Sequence, residues 1–289
     1  MSRIIGTFLF IMINYNGTIL PASTNLLHNN RAFLYGDGVF ETVKIINNRI
    51  LFLEDHYFRL MSSMRILRME IPMNFTMEYF EEQIKLVVNA NDYSDAVRAR
   101  ITVYRNPGGY YLPETNTISF LIHSLPIENK FYYINSKEYE VDLYKDIYVS
   151  KQLLSTLKTT NKVINITASI YAKENDLQNC LLLNEDKNVV ESVQGNVFML
   201  MDNKLITPPI SEGCLNGIMR KQILAIVKKM DNIEVVEEAI SPFDLQKANE
   251  LFITNVIKGI QPITKYRKKE YKTAFSQKVL NLLNDFIVA

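Results

Sequence analysis

Asn216-Gly217 stands directly before an apolar run that repeats at helical spacing, Ile218 to Met230, and this pattern predicts a helix opening at Ile218. The first N–H groups of a helix lack intrahelical acceptors. Those of Ile218 and Met219 would therefore face an anion with the helix dipole behind them. Arg59, at the edge of another helical pattern, has the side chain that suits a phosphate, because a guanidinium donates two parallel charge-assisted hydrogen bonds. Lys158 opens the stretch KTTN and Glu191 the stretch ESVQGNVF. A lysine can act as nucleophile or base only if its pKa is lowered, which partial burial beside a cation provides. No single lysine announces catalysis, so the order of motifs along the chain carries the reading. The Gly36-Asp37-Gly38 turn fits any hairpin, and the remainder of a dinucleotide fingerprint is absent, which excludes a Rossmann site. His28, His56 and His123 have no second histidine or cysteine at ligand spacing, so no metal is expected.

The elements that must hold these residues read as two α/β (α+β) domains. Met12 to Leu20 is strand, Asn16-Gly17 turn, strand, and Gly38 to Ile46 with Ile50 to Leu53 is a second hairpin around Asn47-Asn48. Leu60, Met64 and Leu67 share one face of a helix over Glu54 to Leu67, and Phe80, Ile84, Val87 and Val88 do the same over Thr76 to Ala90. Val97, Ala99, Ile101 and Val103 alternate with Arg98, Arg100 and Thr102 as in a half-buried strand, and Ile118 to Ile122 supplies another. Further on, strands are expected at Cys180 to Leu183, Asn196 to Met201 and Leu251 to Thr254. Helices are expected at Ile218 to Met230, Pro242 to Ala248 and Ser276 to Phe286. The expected boundaries are an N-terminal domain over 1–126, a linker over 127–135 and a C-terminal domain over 136–289. Residues 1–11 form an extension, since Met12 would itself serve as a start.

Composition narrows the function class. With 47% apolar residues, 289 positions suffice for a core in each domain. The formal net charge is +1 with the two signs interspersed, so neither a nucleic-acid groove nor a polybasic membrane surface is expected. Cys180 and Cys214 read as small buried hydrophobes of a reducing compartment. The apolar Ile4 to Ile13 stretch is too short to span a bilayer and lacks a basic leader and cleavage site, so a cytoplasmic location is expected.

Taken in order, NRAFLYGDGVFETV from Asn30, LFLEDHYFRL from Leu51, KTTN from Lys158, ESVQGNVF from Glu191, NGIMR from Asn216 and LFITNVIKGIQPI from Leu251 resemble the class IV aminotransferase family. That family includes D-amino acid and branched-chain transaminases and aminodeoxychorismate lyases. The resemblance implies the two-domain fold type IV, D-amino acid aminotransferase-like, with pyridoxal 5′-phosphate (PLP) in the interdomain cleft of a homodimer. It makes Lys158 the amine that joins the PLP aldehyde and then shuttles the substrate's α-proton. Glu191 would hold the pyridine nitrogen protonated. Arg59, Asn196, Gly217, Ile218, Met219, Thr254 and Asn255 become cofactor contacts, and Phe33, Tyr35, Tyr110 and Val256 substrate contacts. The loop Asn106 to Tyr111 of the neighbouring copy would close each site.

The family follows two outcomes from one carbanion, transamination or loss of pyruvate to give 4-aminobenzoate. Phe33 and the RNPGGYY loop from Arg105 depart from the D-amino acid enzymes, while Thr42 and Lys44 depart from the branched-chain ones. NGIMR, the glycine pair after Arg105 and Asn255 are closer to the lyases, although Tyr110 stands where many lyases have arginine. The first expectation is therefore a 4-amino-4-deoxychorismate lyase. A transaminase for branched-chain or related amino acids and 2-oxoglutarate comes next, and a catalytically silent binding homologue last.

Overall fold

A computed structural model describes residues 11–24, 29–135 and 137–288. Nearly all of the 1–11 extension, and His28, lie outside them. The chain divides into two compact units, Met1–Lys130 and Phe131–Ala289, at a point inside the stretch read as a linker.

In the N-terminal unit, β1 (Met12–Tyr15) and β2 (Thr18–Pro21) form the first hairpin, followed by the short helix α1 (Arg31–Tyr35). Then come β3 (Gly38–Ile46), β4 (Arg49–Ile50), α2 (Leu53–Ile66), α3 (Met77–Ala90), β5 (Ala96–Arg105) and β6 (Ile118–Pro126). The six strands make one sheet in the order β2-β1-β6-β5-β3-β4. Two helices cover one of its faces. Val39, Val43, Val97, Ala99, Ile101 and Val103 alternate onto that face and pack against Leu60, Met64, Phe80, Ile84 and Val87 of α2 and α3.

The C-terminal unit starts with β7 (Glu140–Val149), α4 (Val163–Glu174), β8 (Asn179–Asn184), β9 (Val189–Ser192) and β10 (Gly195–Met201). It continues with β11 (Lys204–Thr207), α5 (Ile218–Val227), β12 (Glu234–Glu237), β13 (Glu250–Asn255) and β14 (Gly259–Ile263). The last elements are β15 (Lys265–Tyr266), β16 (Lys269–Glu270) and α6 (Ala274–Val288). Its mixed sheet runs β12-β11-β10-β9-β8-β7-β15-β16, with β13 paired to β10 and to β14. β8 is buried along its whole length, so its centre, Cys180 to Leu183, is a continuous apolar run rather than an alternation. No helix of the described residues is long and apolar enough to cross a membrane.

Three expectations on elements change. The Ile50 to Leu53 run yields only a two-residue strand, because Phe52 adopts a left-handed conformation and Leu53 already begins α2. Pro242 to Ala248 gives a single 3-10 turn at Asp244–Gln246, although Ser241 Oγ accepts from Phe243 N as a cap would. Neither α1 nor α4 was anticipated, and α4 hid because its apolar residues are spread over both faces: Ala168 and Ala172 are buried while Val163, Ile166 and Ile170 are exposed.

Candidate active site

In the C-terminal unit the β-register sets three polar side chains in a row. Glu191 of β9 lies opposite Asn196 of β10, which lies opposite Thr254 of β13. Directly paired residues of adjacent strands point to the same face. The row is closed by the segment that leads into α5. Leu215 donates its N–H to Glu191 Oε2 at 2.9 Å, and its carbonyl accepts from Asn196 Nδ2 at 2.8 Å. Two residues later Gly217 is pressed against Asn196, where a Cβ would strike the side-chain oxygen. Only glycine allows that approach.

Ile218 and Met219, both buried, form the first turn of α5, and Gly217 offers no side-chain cap to their N–H groups. Thr254, 2% exposed, has a hydroxyl with no hydrogen-bond partner among the described residues. A buried hydroxyl without a partner costs free energy unless something else supplies one. Lys158 reaches this region by way of a 3-10 turn, Leu153–Thr156, whose Thr156 carbonyl accepts from Asn216 N at 3.3 Å. Its charge and that of Lys162 are felt at Glu191. Burial pushes the Glu191 carboxyl above the usual carboxylate range, and the Leu215 N–H, Lys162 and Lys158 pull against it. A cation placed opposite would favour the ionised form further.

Asn255 and Val256 sit in the turn between β13 and β14. The Asn255 side chain accepts from Ile257 N and Lys258 N, so its oxygen shapes that turn. The Val256 carbonyl accepts from the buried Tyr132 hydroxyl at 2.7 Å. Tyr132 also lies against Gly259, whose positive φ and close ring contact exclude a side chain.

The N-terminal unit holds the other expected residues. Arg59 projects from α2 to Glu41 of β3 through two hydrogen bonds of 2.6 Å, and His56 Nδ1 lies 2.7 Å from the same carboxylate. Burial alone would raise the Glu41 carboxyl, but the Arg59 guanidinium and then His56 overcome it and hold it at about 2. Phe33 and Tyr35 of α1 and Tyr110 of the β5–β6 loop are exposed.

One feature escaped sequence reading. The register β3–β5–β6 places Lys44 beside Arg98, and Thr42 beside Arg100 and His123, on the sheet face turned away from α2 and α3. The Arg100 guanidinium lies 3.7 Å from the Phe40 ring centroid. Burial lowers Lys44 to about 8; burial and the Arg98 and Arg100 charges keep His123 below its ordinary value. Arg98 and Arg100 are the polar half of an alternation that looks solvent-facing until the neighbouring strands add Lys44 and His123. Among the described residues no group of three or more His, Cys, Asp or Glu side chains could hold a metal.

The C-terminal row fits PLP on its own geometry: an uncapped helix start and an unpartnered buried hydroxyl for the phosphate, a carboxylate for the ring nitrogen, and a lysine within electrostatic reach of that carboxylate. The fold and sequence agree with known proteins. The chain is 29% identical over 243 residues to a putative branched-chain-amino-acid aminotransferase of Methanocaldococcus jannaschii, covering 81% of this chain and 80% of that protein. It is 24% identical over 253 residues to a D-alanine aminotransferase of Bacillus licheniformis, covering 86% of each. Among solved structures, the branched-chain aminotransferase of Thermoproteus uzoniensis superposes with a TM-score of 0.84 at 22% identity, over 94% of this chain and 93% of that one. A putative 4-amino-4-deoxychorismate lyase of Legionella pneumophila superposes with a TM-score of 0.78 at 22% identity, over 91% and 96%. The description of amino-transferase class IV matches residues 38–266, and the chain therefore belongs to this family of PLP-dependent enzymes.

Proposed function

We propose that this enzyme is an aminotransferase, moving an amino group between a branched-chain or related amino acid and 2-oxoglutarate. The cofactor part of this reading is carried by the Glu191–Asn196–Thr254 row at the mouth of α5. Asn196, Thr254 and the N–H groups of Ile218 and Met219 would hold the phosphate end, with Asn255 shaping the adjoining turn; Arg59, which the resemblance makes a phosphate contact, is paired with Glu41 in the N-terminal unit. Glu191 would take the ring nitrogen. Bound PLP supplies an aldehyde for the substrate amine and a ring that accepts the electrons released at Cα. Lys158 Nζ, as the neutral amine, would take the proton from the substrate Cα and deliver it to the cofactor carbon that carried the aldehyde. The basic face made by Lys44, Arg98, Arg100 and His123 has the charge that a carboxylate-bearing substrate needs, beside the aromatic Phe40. Phe33, Tyr35, Tyr110 and Val256 are the substrate contacts that the resemblance implies.

Transfer is preferred to lysis because the lyase cues lose their weight and the similar proteins are named aminotransferases. The three lyase cues of the sequence have structural duties that either reaction would keep. Arg220 of NGIMR is buried and donates to the Pro208 carbonyl and the Glu237 carboxylate. Gly108 and Gly109 have φ of 120° and 68°, which the loop requires of glycine. Asn255 bonds within its own turn. The relatives that share four fifths of the chain are named aminotransferases. The lyase stays as the second reading, since the Legionella structure shares the fold and its substrate would also bring two carboxylates. A paired assay separates them: leucine with 2-oxoglutarate, following glutamate, and aminodeoxychorismate, following pyruvate. Glutamate without pyruvate is expected, and the reverse overturns the proposal. A second copy of the chain is the proposed partner, and the exposed stripe Val163, Ile166 and Ile170 of α4 is an apolar surface such a partner would cover.

A further inference from the structure

The Gly36-Asp37-Gly38 motif has no part in the chemistry above, yet Asp37 is the centre of a buried charge cluster. Its Oδ2 accepts from Arg31 Nε at 2.8 Å and from Arg105 Nε at 3.0 Å. Arg31 is 3% exposed and Arg105 7%. Arg105 anchors the cluster to the body of the unit through the carbonyls of Leu67 and Arg68 and the Asn116 side chain. Arg31 points the other way, and its Nη1 meets three successive loop carbonyls, Gly108 at 2.9 Å, Gly109 at 3.3 Å and Tyr110 at 2.8 Å. Three carbonyls converging on one guanidinium nitrogen curl the loop around it, which explains the left-handed glycines at 108 and 109. The loop is also closed on itself by Gly109 N donating to Glu114.

Above this buried base the tip is bare: Tyr110 is 83% exposed, Tyr111 91% and Leu112 84%. The Arg31 guanidinium lies 4.9 Å from the Tyr35 ring centroid, and Tyr35 lies 5.9 Å from Tyr111. One arginine thus holds the loop backbone and lies against the Tyr35 ring, which neighbours Tyr111. Fixing exposed apolar side chains in advance lowers the entropy lost when they contact a ligand.

We propose that Arg31 is a positioning residue for substrate recognition: held by Asp37, it sets the 108–112 loop and, through it, Tyr110 and Tyr111. This rests on the reading of Tyr35 and Tyr110 as substrate-facing. The test uses PLP-loaded Arg31→Lys, whose ammonium can satisfy Asp37 or the carbonyls but not both, and Tyr110→Ala, which leaves the clamp intact. Arg31→Lys raises KM for the amino donor about tenfold, by roughly 1.4 kcal/mol, with kcat within about twofold and PLP affinity unchanged. Amide hydrogen exchange across 108–112 becomes faster in it than in the wild type. In the double variant the KM effects do not add, because both changes act through one loop. Additive effects, or faster exchange with an unchanged KM, overturn the proposal. If the wild type transfers no amino group and releases no pyruvate, it is the functional reading that fails. The clamp is then judged by exchange alone, and unaltered exchange in Arg31→Lys removes it.

Discussion

In the proposed function Lys158 and Glu191 divide the chemistry between them, and their surroundings differ in the way that division needs. Glu191 has its carboxylate held by one backbone N–H and opposed by burial, so its ionised form depends on nearby positive charge. Lys158 is partly exposed at the end of a tethered 3-10 turn, where it can reach a ligand. Lys158→Ala is expected to lose turnover by at least about a thousandfold while keeping its fold, because Lys158 is partly exposed and lies outside the buried core. Steady-state rates and far-ultraviolet circular dichroism measure both halves of that statement. Borohydride reduction of the PLP-loaded wild type, followed by peptide mapping, should place the adduct on Lys158. An adduct on another residue removes the assignment.

At the scale of elements, the site is a product of register. Glu191, Asn196 and Thr254 are separated by up to 63 positions along the chain, yet β9, β10 and β13 put them in one line. Thr254 gives a prediction whose two halves have opposite signs. Thr254→Val removes a buried hydroxyl that lacks a partner, so the cofactor-free protein should gain about 1 kcal/mol of stability in urea unfolding. The same change should weaken PLP binding several-fold in an absorbance titration, since the phosphate is the proposed partner of the hydroxyl. A destabilised cofactor-free protein with unchanged PLP affinity would show that the hydroxyl has another partner. Elements also decided what the sequence could and could not show. The helices α2 and α3 repeat apolar residues on one face, and the β5 alternation is regular, so both were legible. α4 buries only small residues, which leaves no periodic signal, and the short 3-10 turn after Pro242 had a good start signal without enough chain to continue.

For the whole molecule, Glu41 makes stability depend on pH. Its carboxyl is at about 2 in the folded state, below the ordinary value of 4.5, so the folded state binds fewer protons than the unfolded one in between. The contribution is therefore complete above about 4.5 and is lost as pH falls towards about 2, and it amounts to a few kcal/mol. Glu41→Gln should flatten the fall in urea-unfolding free energy across that window, while it lowers stability at pH 7 because Arg59 and His56 lose their anion. An unchanged slope would assign acid sensitivity to other groups.

The amino-acid sequence by itself pointed to the family and its cofactor, because the motifs around Lys158, Glu191, the glycine before α5 and β13 occur in an order that resembles the family, and local residue types are what a motif records. It also determined which faces of α2, α3 and β5 are apolar, since those faces repeat within a few residues. Tertiary structure alone decided the Glu191–Asn196–Thr254 row, the basic face of Lys44, Arg98, Arg100 and His123, and the convergence of Arg31 and Arg105 on Asp37. The reason is physical: strand register and hydrogen bonding bring together residues tens of positions apart, and no local pattern specifies which strand becomes the neighbour of which.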